Sequence, residues 1–247
     1  MFVNALTRPV SLSIRTIIPI TLLILLVPLY IFIGVLITPG QTLHRPELAL
    51  DKAMPLQPYW VFAYGSLYAF LILLPIFILR HEEHIRRTAF AYLLVWITSY
   101  ACFLLYPTVA PRPEKVIGDG FVLWALRFLY SSDPPYNCFP SLHVAHSFVS
   151  VFTCYRVNRG VGFAAGICAS IMAVSTIYTK QHYVLDVIAG IFLACLAYVV
   201  FLRNYRGNEI SDQERNTVPI LALSIVAILI LMFTCYWLAY EIDIRLL

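Results

Sequence analysis

Six apolar runs, each about as long as a bilayer is thick, constrain this chain more than any other feature. They cover residues 17–37, 60–79, 88–106, 161–178, 184–202 and 218–238. A helix needs about 20 apolar residues to cross the hydrocarbon core. Lipid offers no water to bond stray N–H and C=O groups, so runs of this kind must be helical. A seventh run, residues 142–155, is shorter and carries His143, His146, Ser147 and Ser150. Polar groups at that depth belong in a bundle interior rather than against lipid. The expectation is an all-α, polytopic membrane helix bundle of about seven spans.

Composition agrees. Charged residues make up 12% of the 247 and hydrophobic ones 61%, whereas soluble domains carry about 25% charged residues. The spans take up the length, so a single integral membrane domain over 1–247 is expected. The run at 17–37 is too long for a signal-peptide core and no small-residue cleavage site follows it, so it reads as a retained span. The formal charge of +4 suits membrane topology, and no nucleic-acid partner is expected. Ten of the 17 Lys and Arg residues, Arg80, Arg86, Arg87, Arg156 and Arg159 among them, fall in one set of loops. The other seven, including Arg112, Lys115 and Lys180, fall in the opposite set. The first set hugs the span ends and is expected to be cytoplasmic. The six cysteines form no C-x-x-C pair and five lie in apolar runs. They read as small buried residues.

Chemistry gathers on the less basic side. Pro140-Ser141-Leu142-His143 places a strong N-cap residue before a helical run. A helix N-terminus suits a phosphate, and a histidine in the first turn would reach it. A plain cap with an interfacial histidine is the bland alternative. His182 and Asp186 are four residues apart, on one face of a helix. A carboxylate on one ring nitrogen fixes the tautomer and makes the other nitrogen a better base or nucleophile. An ion pair of Asp186 with Lys180 is the structural alternative. Arg112 follows a proline-stiffened stretch, Tyr106-Pro107-Thr108-Val109-Ala110-Pro111, which would hold its planar fork toward phosphate oxygens. The segment Phe121 to Tyr130 is too short to span. It reads either as an interfacial helix over the site or as a packed loop helix with no gating role.

These stretches, in this order on successive spans, resemble the type 2 phosphatidic acid phosphatase superfamily of membrane lipid phosphatases and phosphotransferases. The likeness is greatest to its inositol-phosphorylceramide-synthase-like branch. It rests on residues 106–113, 137–145 and 175–186 and covers about 50–202, leaving an extra C-terminal span at 218–238. The resemblance implies His182 as nucleophile, Asp186 as its orienter and His143 as acid to the leaving group. It implies Arg112 and Ser141 as phosphate ligands. Three positions depart from the family pattern: Leu105 replaces a lysine, Leu142 a glycine and Thr176 an arginine. Lys180 and Lys115 are the cations expected to substitute.

The implied activity is hydrolysis of a lipid phosphate ester through a phosphohistidine, resolved by water. Resolution by an alcohol would make the protein a phosphotransferase. A non-enzymatic phospholipid or anion carrier is a further reading, but it has no use for a histidine held by a carboxylate. No cofactor and no metal is expected. His146 lies one turn from His143 without a ligand set, and His81-Glu82-Glu83-His84 spaces its histidines three apart rather than four.

Overall fold

The computed structural model describes residues 12–37, 42–133, 135–205 and 212–246. Nine α-helices make up the described chain: α1 (Ile14–Leu36), α2 (Ala49–Ala53), α3 (Trp60–Ile78), α4 (Glu82–Leu105), α5 (Phe121–Ser132), α6 (Leu142–Val157), α7 (Arg159–Tyr178), α8 (Val184–Ala197) and α9 (Asp212–Leu246). A π-helical turn, Tyr198–Leu202, extends α8. Among the described residues there is no strand. Isolated bridges join His44 to Thr108 and Thr108 to Asn137. The protein is thus an all-α polytopic bundle. Six of its helices are long and apolar enough to cross a membrane.

Burial is arranged for lipid rather than water. Ile24, Val35, Phe163, Phe192 and Leu231 present their side chains outward, while Thr88, Ser147, Ser150 and Thr153 are fully buried. The Ser150 hydroxyl donates to the Leu71 carbonyl at 2.7 Å, and the Thr88 and Thr153 hydroxyls meet at 3.3 Å. A polar side chain inside such a bundle must find an internal partner, because the alternative is a bare dipole in hydrocarbon. Two cysteines depart from the sequence expectation. Cys195 and Cys235 lie on outward helix faces rather than in the core. A thiol is apolar enough for lipid contact, which sequence pattern cannot tell from burial.

The short helix α6 lies at the centre, packed against α3, α4, α7 and α8. Its role as an interior helix explains how it can carry two histidines. Helix ends segregate. At one end Thr16 Oγ1 donates to Glu82 (2.7 Å), Arg87 to the Phe201 carbonyl (3.1 Å), and Arg156 to the Arg203 carbonyl (2.8 Å). All of these belong to the arginine-rich loop set. The loops holding Arg112, Ser141 and His182 meet at the other end.

Candidate active site

Ser141 is the N-cap of α6. Its hydroxyl oxygen accepts from the Val144 N–H at 3.3 Å, and such a cap stabilises a helix by about 1 kcal/mol. The Ser141 N–H in turn donates to the Asp186 carbonyl at 3.0 Å. That bond ties the start of α6 to the start of α8. Gly190 allows the approach, because a Cβ there would lie 2.6 Å from the Ser141 carbonyl oxygen.

The approach sets three side chains in a row. His182 Nδ1 lies 3.4 Å from Asp186 Oδ2, and His182 Nε2 lies 3.5 Å from His143 Nδ1. His182 is 3% exposed and Asp186 fully buried. Asp186 Oδ2 also accepts from the Tyr183 N–H at 2.9 Å, closing a capping box at the head of α8. In the tautomer whose Nδ1 proton bonds the carboxylate, the His182 Nε2 lone pair faces His143. The rings of Tyr64 and Tyr68 pack on His143 with centroids 5.4 and 4.8 Å away. A phosphorus atom does not fit between nitrogens 3.5 Å apart, so the rings must part as a substrate enters. Catalytic contacts commonly reach their working geometry only in the complex.

Arg112 reaches this cluster from the proline-rich loop. The loop is clamped on both sides: the Val109 N–H donates to the His44 carbonyl (3.1 Å), the Ala110 N–H to the Pro135 carbonyl (2.8 Å), and the Phe139 N–H to Thr108 Oγ1 (3.0 Å). The guanidinium is largely buried and lies 3.8 Å from Asp133 Oδ2. It donates to the carbonyls of Tyr130 (3.0 Å) and Asp133 (2.9 Å) at the C-terminal end of α5, and to the side-chain oxygen of Gln181. The Tyr130 ring stacks under it at 4.8 Å. Burial pushes the Tyr130 phenol up to about 12 against the pull of Arg112. Its hydroxyl therefore stays a donor, bonded to the Thr179 carbonyl at 2.8 Å. Three buried donor groups here have no partner among the described residues: Arg112 Nε, Gln181 Nε2 and the Tyr64 hydroxyl. Buried donors in folded proteins normally have a partner, so these three are free to bond a group that enters the site.

The two lysines expected to substitute differ in their surroundings. Lys115 is exposed on the loop before α5. Lys180 adopts φ 57° and occupies the left-handed position of a Schellman cap on α7. Its N–H donates to the Ile177 carbonyl (3.1 Å) and that of Gln181 to the Thr176 carbonyl (2.9 Å). Its ammonium donates to the carbonyls of Met54 (2.5 Å) and Asp51 (3.2 Å). Its charge is thereby held at the end of α2, and it forms no ion pair with Asp186. A family arginine at Thr176 has no counterpart in space either, because Thr176 is fully buried and donates to the Ala173 carbonyl at 2.7 Å.

Several members of the site carried no sequence signal: Gln181, Tyr64, Tyr68, Asp133 and Asp51. Asp51 Oδ1 accepts from the Val184 N–H at 2.8 Å, capping α8 from far away in the chain. Cys138 is another. Its sulfur and donor atoms of His182 and Asp186 lie within 4.8 Å of one another. The Cys138 thiol donates to the Pro135 carbonyl at 3.2 Å, and burial pushes its pKa well up.

The fold and this constellation define an integral membrane protein with a His–His–Asp chain, buried at His182 and Asp186, beside an arginine. A family model described as the PAP2 superfamily matches residues 41–200. The chain therefore belongs to the PAP2 superfamily, a family of phosphatases. A PA-phosphatase related-family protein of Dictyostelium discoideum is 29% identical over 127 residues, 45% of this chain and 22% of that protein. The chain thus corresponds to about a fifth of that relative's length. No solved structure matches.

Proposed function

We propose that the protein cleaves a lipid phosphate ester by way of a phosphohistidine at His182. The observation that carries this reading is the chain of contacts from Asp186 through His182 to His143, set beside three orphaned donors. Asp186 holds the His182 proton on Nδ1, and Nε2 attacks phosphorus in line. The P–O bond to the lipid breaks, and His143 gives a proton to the departing oxygen. Water then attacks phosphorus, His143 takes a proton from that water, the bond from phosphorus to His182 Nε2 breaks, and phosphate leaves. The spare donors on Arg112, Gln181 and Tyr64, with the Ser141 hydroxyl hydrogen, bind the equatorial oxygens as charge shifts. The scheme uses no metal. The site lies at the end of the bundle away from the arginine-rich loops, which favours the non-cytoplasmic face of a bacterial inner membrane or a eukaryotic endomembrane.

Transfer to an alcohol is the second reading. It is favoured by the near-complete burial of His182 and by the Tyr64 hydroxyl, which could hold an acceptor alcohol beside His143. The test is phosphate release from a panel of lipid phosphates by the purified protein, with and without added alcohols. Radiolabelled substrate should leave an acid-labile phosphate on the wild type and none on His182→Ala. Near-normal turnover by His182→Ala would reject the mechanism. A phosphorylated alcohol in place of free phosphate would select transfer.

A further inference from the structure

A cavity of about 290 Å³ lies between α3, α5 and α9, with Tyr64 and Tyr68 in its lining. Gly65 and Ala69 of α3, Ala125 and Leu129 of α5, and Met232 and Phe233 of α9 form its walls. No Lys, Arg, His, Asp or Glu lines it. The polar side-chain groups in its lining are hydroxyls, those of Ser66, Ser132 and the tyrosines, so a phosphate would find no cation there, whereas an alkyl chain would meet mostly apolar surface. The size is at the small end of ligand pockets, about 300–1,000 Å³, which suits part of one chain rather than a whole lipid.

Two features join this cavity to the site. Tyr64 and Tyr68 are shared, lining the cavity and packing on His143. Ser132 lines it too, and the next residue, Asp133, meets Arg112. The polar end of a lipid phosphate at the histidines therefore leaves its apolar end beside this opening. The third wall comes from α9, which lies outside the stretch matched to the family. Contacts with α5 hold it there. Trp124 Nε1 of α5 donates to Asp243 of α9 at 2.8 Å, and Phe121 packs on Phe233, Trp237 and Tyr240.

We propose that this cavity is a slot for one acyl or alkyl chain of the substrate, and that α9 sets which chains it accepts. The inference rests on the lipid-phosphate reading of the site. A Cβ on Gly65 would meet no atom within 4 Å, so Gly65→Leu fills the slot without displacing backbone. Two arms test it on the full-length protein. In the first, kcat/KM is measured for a long-chain lipid phosphate and for a short-chain phosphate monoester. Gly65→Leu should lower the long-to-short ratio by at least about tenfold, the order of discrimination that a methylene or two gives in an apolar pocket. Phe233→Ala, which enlarges the slot, should move the optimum toward longer or bulkier chains. An unchanged ratio in both variants would overturn the proposal.

In the second arm, His182→Ala is photolabelled with a lipid phosphate bearing a diazirine at its chain end. Label should fall on α9 around Met232 and be lost in the Gly65→Leu double variant. Equal labelling by a diazirine phosphatidylcholine would assign the slot to bulk lipid and overturn the proposal. If the wild type cleaves no lipid phosphate, the functional reading fails. The labelling arm still judges the slot, so the two failures remain distinct.

Discussion

Gly190 lies against the backbone of Ser141, and a single added carbon at Gly190 would sit 2.6 Å from the Ser141 carbonyl oxygen. This contact sets the distance between α6 and α8, and so between His143 and His182. Gly190→Ala must push the helices apart. A displacement near 1 Å can cost about 10²-fold in rate, and overpacking costs about 1–3 kcal/mol. The expected result is a folded protein with a lowered Tm and kcat reduced by about two orders of magnitude. Wild-type kcat in Gly190→Ala would show that this spacing does not govern turnover.

Asp186 has two jobs that substitutions can separate. Its Oδ2 accepts from the Tyr183 N–H and lies 3.4 Å from His182 Nδ1. Asp186→Asn keeps an acceptor for the cap but removes the charge that holds the His182 proton. Turnover should fall by about 10²–10⁴-fold with little change in Tm. Asp186→Ala should lose the cap as well, at about 1 kcal/mol. Thermal unfolding and steady-state rates read the two effects apart. Equal activity in Asp186→Asn and wild type would remove Asp186 from the mechanism.

Lys180 anchors α2 and occupies a left-handed backbone position. Lys180→Ala loses its charged hydrogen bonds, worth about 1.5–3 kcal/mol, and keeps the unfavourable φ. Lys180→Gly loses the same bonds but relieves about 1 kcal/mol of backbone cost. Glycine should therefore be the more stable of the two, with His182 better placed and kcat higher. If alanine and glycine are equally impaired in activity while differing in stability, the ammonium itself serves the reaction.

The Cys138 thiol is held protonated by burial, since its pKa is pushed well up. Maleimide should label it far more slowly at pH 8 than a free thiol, because Cys138 is buried and little thiolate is present. Activity should survive EDTA, and Cys138→Ser, which can keep the bond to Pro135, should retain most of it. Loss with EDTA that one divalent ion restores, together with loss in Cys138→Ser, would make this cluster a metal site.

The exposed loop position of Lys115 offers a probe of orientation. In a background without native cysteines, Lys115→Cys should react with an impermeant maleimide from the non-cytoplasmic side alone. Labelling from the cytoplasmic side would invert the topology.

The sequence by itself determined the membrane character, the helical fold and the ends at which its helices meet, because hydrocarbon leaves a backbone no alternative to helix. It also singled out Arg112, Ser141, His143, His182 and Asp186 as candidates, from residue type and from local spacing on a helix turn or a proline loop. Tertiary structure decided what such spacing cannot encode. Asp51 caps α8 across 133 positions of sequence, and Gln181 meets Arg112 across 69. Lys180 looked like a replacement phosphate ligand because it stands one helical turn from Thr176, where the family has arginine. The left-handed turn at φ 57° puts its ammonium on the carbonyls of Asp51 and Met54 instead. A glycine would have signalled that turn, and a lysine hides it. The slot between α3, α5 and α9 was equally hidden, since its walls come from three segments that only helix packing brings together.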